Sequence, residues 1–337
     1  LQIGGLQLKN KIWTAPMAGI TDRPFRNILH RMGAGLVFTE MISDKALVYK
    51  NKETLSMLNL AEEDRPVAVQ LCGSEPKVMA QAAKIIEAMG ASLIDINMGC
   101  PAPKIVRNGE GCSLMQRPEL AAEIVAAIRN TVSLPVTVKI RKGMTAESVN
   151  AVSFAQKLEA AGAQAITVHG RNREEYYSGK ADWDMISQVA ATVTVPVIGN
   201  GDIYRPEETM ARLAESGCVA VMIGRGMLGN PWLVRDAVRL QEGLAPLGHP
   251  GIIEVLDIAR EQLAEEVSLC GEKRGLQQMR KHLAWYIKGQ RGASAMRNLI
   301  NQQESLGDLL TILDAYAMEI STTEKEAGIK DLTADYI

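Results

Sequence analysis

The stretch LIDINMGCP, residues 93–101, is a short apolar strand, Leu93 to Ile96, that delivers Asn97, then Cys100 and Pro101, at its C-terminal end. Runs of the same kind recur along the chain: IWTAPM (12–17), LVFTE (36–40), VAVQLC (67–72), VTVKI (136–140), AITVH (165–169), PVIGN (196–200) and VAVMI (219–223). Amphipathic helical segments lie between them, such as KVMAQAAKIIEAMGA (77–91) and NAVSFAQKLEAAGA (150–163), each closing near the glycine that commonly stops a helix. Near-continuous apolar strands alternating with helices are what a parallel sheet covered on both faces requires. Eight such units between Ile12 and Leu240 fit an α/β fold of the closed (β/α)8 TIM-barrel type better than its rival, an open doubly wound sheet.

Composition narrows the class. With 337 residues, 47% hydrophobic and 23% charged, the chain can bury one large core and a smaller one. No apolar run approaches the roughly 18 residues of a membrane span. The start, LQIGGLQLKNK, lacks the charged-then-apolar order of a signal peptide, so a cytoplasmic protein without membrane contact is expected. The cysteines (Cys72, Cys100, Cys112, Cys218, Cys270) are odd in number, without CxxC or histidine pairing at ligand spacing. Reduced thiols and no metal are the expectation. A formal net charge of −2 excludes a uniformly basic nucleic-acid coat but leaves room for a local patch.

Such a patch exists in the tail. After about residue 240 the strands stop, and IIEVLDIAREQLAEEVSL (252–269), LQQMRKHLAWYIKG (276–289) and SLGDLLTILDAYAMEI (305–320) read as amphipathic helices in a bundle. The expected division is therefore a barrel over 1–240 and a helical bundle over 241–337. Glu272 to Arg297 holds Lys273, Arg274, Arg280, Lys281, Lys288, Arg291 and Arg297 against a single acid, which suits an RNA backbone. Trp285 and Tyr286 within that run read as core.

In such barrels chemistry sits at the C-terminal mouth. The strand ends there are polar: Gln70, Asn97, Lys139, His169 and Asn200, then Gly224 with Arg225. Singly, each has an ordinary role as a snorkelling lysine, a core histidine or a capping asparagine. Together at one end they point to a ligand site. GNGDI (199–203) and MIGRG (222–226) set glycines after the last two strands, where barrels commonly bind phosphate through backbone N–H groups, and Arg225 adds a bidentate cation. The longest interval between strand starts, 93 to 136, suits a mobile lid. Its Cys112, in GEGCS, reads as structural.

APMAGITDRPFR (15–26), VQLCG (69–73), DINMGCP (95–101), VKIRKG (138–143), VHGRNREEYYSGKADW (168–183), GNGDI and MIGRG together resemble, in order, the signature blocks of the bacterial tRNA-dihydrouridine synthases. That resemblance implies an FMN-dependent oxidoreductase. It would take electrons from NADPH and reduce the C5–C6 double bond of D-loop uridines in tRNA, without an obligate protein partner. It implies Cys100 as proton donor. Pro16, Met17, Ala18, Gln70, Lys139, His169, Asn200, Gly201, Asp202, Gly224 and Arg225 would hold FMN, and Asn97 and Arg171 the target uracil. Arg274, Arg280, Lys281, Lys288, Arg291 and Arg297 would hold tRNA. Two alternatives stay open: an FMN barrel acting on a free pyrimidine, of the dihydroorotate dehydrogenase type, and a non-catalytic RNA-binding barrel.

Overall fold

The computed structural model describes residues 1–58, 60 and 65–327. Two short strands, β1 (Gln2–Ile3) and β2 (Leu6–Gln7), pair as an antiparallel hairpin. Eight strands then run parallel: β3 (Ile12–Thr14), β4 (Val37–Ser43), β5 (Val67–Cys72), β6 (Leu93–Met98), β7 (Val136–Arg141), β8 (Ile166–His169), β9 (Val197–Asn200) and β10 (Ala220–Ile223). From β4 to β10 each strand pairs with its sequence neighbour, and β10 pairs with β3. A parallel bridge between Trp13 and Leu36 joins β3 to β4 and completes the ring, which excludes the open sheet. All eight predicted runs are strands.

Helices cover the outside. They are α1 (Arg23–Arg31), α2 (Asp44–Val48), α3 (Lys52–Met57), α4 (Pro76–Ala88), α5 (Pro103–Arg107), α6 (Pro118–Arg129), α7 (Ala151–Ala160), α8 (Trp183–Thr192), α9 (Pro206–Glu215) and α10 (Trp232–Gln241). Just beyond α4 and α7 stand Gly90 and Gly162 at φ +84° and +100°, backbone a β-carbon would strain. The long interval after β6 has structure of its own. It is filled by α5, a 3-10 turn over Gly111–Gln116 whose first five residues are buried, and α6.

β6 shows why the chain adopts this architecture. Ile94, Ile96 and Met98 pack outward into the main core under the helices, while Leu93 joins an inner cluster with Trp13, Phe38, Ala68, Ile198 and Met222. Period-two alternation then puts Asp95 and Asn97 on the inward face above Leu93. The barrel interior is thus apolar at its base, where Ile3 and Leu8 of the hairpin segment close it, and polar toward the mouth.

The tail holds α11 (Ile252–Cys270), α12 (Glu272–Tyr286), α13 (Ala293–Gln302) and α14 (Leu306–Ala327), with a core of its own around Leu256, Leu263, Leu283 and Leu313. The sequence reading passed over α13. Tyr286 is buried and donates to Gln262 Oε1 at 2.8 Å, as a core residue should, and Trp285 is half-buried. The tail docks on α1: Asn27 donates to Glu265 at 2.7 Å, and Arg31 pairs with Glu261. Among the described residues no helix is long and apolar enough to cross a membrane.

Candidate active site

A cavity of about 630 Å3 opens at the C-terminal mouth of the barrel. Its wall includes Pro16, Met17, Ala18, Gln70, Asn97, Cys100, Lys139, His169, Asn200, Gly201, Asp202, Gly224 and Arg225. The polar strand ends predicted from sequence therefore converge on one space.

On the β5–β7 side the polar groups are spent on one another. Asp95, fully buried, accepts from Gln70 Nε2 at 2.7 Å and from Thr137 Oγ1 at 2.6 Å. Gln70 Oε1 accepts from Asn97 Nδ2 at 2.7 Å. Asn97 Oδ1 in turn accepts the backbone N–H groups of Gly99 at 3.2 Å and Cys100 at 2.9 Å. One hydrogen-bonded line thus runs from Thr137 to the Cys100 backbone. Three further contacts clamp the same turn: Arg141 Nε donates to Gly99 O at 2.9 Å, Tyr176 Oη to Pro101 O at 3.0 Å, and Cys112 N to Cys100 O at 3.1 Å.

On the β8–β10 side charge dominates. Lys139 Nζ donates to Asn200 Oδ1 at 3.0 Å, and Asn200 Nδ2 to Met222 O at 2.8 Å. Asp202, at φ +49°, joins Arg171 at 2.8 Å to Arg225 at 3.3 Å. The Arg225 guanidinium lies 4.8 Å from the centre of the Tyr177 ring and 5.9 Å from that of Tyr204.

These surroundings set the ionisation. Burial pushes the Lys139 ammonium down to about 8, with Arg141 adding to the effect and Asp95 opposing it. Burial, then the nearby Lys139, Arg141, Arg171 and Arg225, holds His169 well below the usual imidazole range, so it is neutral at pH 7. The Cys100 thiol is raised by burial, opposed by a hydrogen bond from Ala102 N–H and by Arg141 and Lys139. It keeps its proton at neutral pH.

The donor set of the cavity suits a phosphorylated flavin. Lys139, Arg141 and Arg225 stand on the cavity wall with His169, Ala15–Ala18 form another part of it, and a β-carbon on Gly224 would meet nothing nearer than Ala15 Cβ at 3.7 Å. An anionic, aromatic ligand fits a space with that charge and shape.

Arg171 is not among the residues of the cavity wall: its buried guanidinium donates from Nε to Ser178 O (2.8 Å) and from Nη2 to Gly179 O (2.6 Å) and Asp202, while Nη1 has no hydrogen-bond partner among the described residues. In the tail, Lys288, Arg291 and Arg297 are exposed, whereas Arg274 pairs with Glu53 of the barrel at 2.6 Å and Arg280 donates to Gln303 O at 3.4 Å. Lys281 is half-buried, with Nζ 3.2 Å from the place a Gly19 β-carbon would occupy. The sequence reading missed Arg141, Tyr176, Tyr177 and Tyr204, all on the cavity wall. For Arg141 a signal existed, since it follows Lys139 by two residues and so faces the same way along β7. Among the described residues no cluster of three or more His, Cys, Asp or Glu is arranged to hold a metal.

Comparison with known proteins covers nearly the whole chain. The family model described as dihydrouridine synthase (Dus) matches residues 13–321. A probable tRNA-dihydrouridine synthase of Rickettsia conorii is 41% identical over 302 residues, 89% of this chain and 91% of the relative. tRNA-dihydrouridine synthase B of Proteus vulgaris is 40% identical over 316 residues (94% and 98%), and that of Pasteurella multocida 38% over 333 residues (99% and 100%). Among solved structures, a 2-naphthoyl-CoA reductase complex matches with TM-score 0.55 at 13% identity over 72% of this chain, and histamine dehydrogenase from Rhizobium sp. 4-9 with TM-score 0.55 at 17% over 84%. The chain spans about half the length of each, 52% and 50%, and the likeness is one of fold.

Proposed function

Because the chain belongs to the dihydrouridine synthase family, we infer that it reduces uridines of tRNA to 5,6-dihydrouridine at the barrel mouth. The observation that carries this reading is the convergence of a protonated Cys100 and a set of cations on one cavity sized for a flavin and a base. FMN held in this cavity would supply hydride transfer, with NADPH as the reductant and the C5–C6 double bond of the uracil as the acceptor. The working compartment is the cytoplasm, where tRNA is processed. Residues 1–240 serve as the flavin-holding unit and 241–337 as the part that holds tRNA.

The chain's own residues do the rest. Pro16, Met17 and Ala18 line the flavin with backbone, and Gln70, fixed between Asp95 and Asn97, faces its pyrimidine edge. Lys139 sets a positive charge near the ring's N1 and O2 side, where negative charge gathers on reduction. His169, Asn200, Gly201, Asp202, Gly224 and Arg225 take the ribityl and phosphate end. Asn97 spends Oδ1 on the Cys100 turn and one N–H on Gln70, which leaves its second N–H for the uracil. Cys100 holds a proton at Sγ and delivers it to C5; Lys139 and Arg141 stabilise the thiolate that remains.

Cys100→Ala tests the assignment. The purified wild type is expected to be yellow and active on unmodified tRNA. The variant keeps its flavin and loses at least about 100-fold in uridine reduction. A colourless wild type overturns the flavin site, and a fully active variant overturns the proton donor.

A further inference from the structure

A uracil that enters the cavity leaves its sugar and phosphates at the mouth, so the phosphates on either side of it lie across the rim. The tail lines one part of that rim. Arg274 of α12 pairs with Glu53 beyond β4, Lys281 Nζ stands beside Gly19 beyond β3, and a β-carbon on Gly229 beyond β10 would meet the Trp285 backbone at 2.4 Å. In the closed ring β6 stands opposite β10, so the segment that follows β6 forms the far rim.

That segment starts on the cavity wall, with Cys100 to Pro103, and continues into α5. No residue of α5 is buried, so its side chains are not there to fill the core. Lys104 and Arg107 are exposed, stand three positions apart on one face of the helix, and form no ion pair among the described residues. Glu110, the acid nearest to them in sequence, is half-buried and accepts from the Cys72 thiol at 3.7 Å. The segment is also braced. Cys112 N donates to Cys100 O at 3.1 Å, and Arg117 Nη2 donates to Gly109 O. At Gly111 (φ +59°) a β-carbon would lie 2.7 Å from Cys100 O and 2.8 Å from Ile105 Cγ2 of α5. Two unpaired cations thus stand on the same fixed turn as Cys100.

We propose that Lys104 and Arg107 hold RNA phosphates at this far rim, opposite those held by the tail, so that the backbone of the target nucleotide is gripped from both sides of the mouth. Because the two cations share a braced segment with Cys100, a phosphate held there sets where the uracil stands relative to Sγ. Neither side chain touches flavin or uracil, and both are positioning residues. The proposal rests on a tRNA uridine being the substrate.

The test is Lys104→Gln with Arg107→Gln in the full-length flavin-loaded protein, with tRNA binding and uridine reduction read separately. The slope of log affinity for unmodified tRNA against log salt is expected to become shallower by about 1 to 2, and KM for tRNA to rise about tenfold with the rate at saturating tRNA kept within about twofold. The charge-keeping pair Lys104→Arg with Arg107→Lys is expected to restore both readings, and the loss of slope should add to that from Gln at Lys288, Arg291 and Arg297. An unchanged slope, or a rate that falls at saturation with KM unchanged, overturns the far-rim grip. Wild type that shows the full difference in slope from the variant yet forms no dihydrouridine would support the grip and overturn the functional reading instead.

Discussion

The cavity wall at β5–β7 and the stretch from the α12–α13 connection into α13 are both polar, and they use their polar groups in opposite ways. On the wall, Thr137, Asp95, Gln70, Asn97 and the Cys100 backbone satisfy one another at 2.6–2.9 Å, so the thiol is held before any substrate arrives. In the tail, Lys288, Arg291 and Arg297 stand exposed on long, rotatable side chains. Fixed dipoles stabilise a transition state without reorganising, which suits the wall. Mobile surface cations track a phosphate backbone and give up affinity as salt rises, which suits the tail.

The contrast can be broken by mutation at either end. The larger effect is expected at Lys139. Its ammonium is held near 8, so it carries its charge below that pH and loses it above, whereas an ordinary lysine keeps it to about 10.4. Affinity of the flavin-free protein for FMN should therefore fall as pH rises through 8. Lys139→Met should flatten that profile and slow reduction by NADPH on the order of a hundredfold. A profile unchanged by the substitution, read by fluorescence titration, would remove Lys139 from the flavin site.

The smaller effect belongs to the tail. Replacing Lys288, Arg291 and Arg297 together by Gln should reduce the slope of log affinity for tRNA against log salt by about 2 to 3 and leave flavin reduction by NADPH alone. Arg274→Gln, which breaks only the exposed pair with Glu53, should change stability by no more than about 1 kcal/mol. An unchanged salt slope in the triple variant would move the RNA path off α13 and the connection that leads into it.

Much of the barrel was legible because a strand buried on both faces reads as an unbroken apolar run, as VAVQLC (67–72) does in becoming β5. The site residues at strand ends were legible for a related reason: polarity there is conspicuous against such runs. What stayed hidden depended on distant packing. The two-residue strands β1 and β2 are too short for any periodic signal, although they close the barrel base. A charge count makes Arg274, Lys281 and Arg297 equivalent, and only the docking of α11 on α1 turns the first two toward the barrel. Arg171 stands in a motif next to the strand-end His169, yet its side chain lies behind the wall, held by Asp202 and two loop carbonyls.

Electrons are expected to pass from this cavity to a tRNA uridine. Anaerobic mixing of the NADPH-reduced protein with unmodified tRNA tests it most directly, with flavin absorbance and nucleoside mass followed together. The expected result is reoxidation of the flavin matched, mole for mole, by uridine that has gained two hydrogens. Flavin that stays reduced, or reoxidises while the tRNA is unchanged, would contradict it.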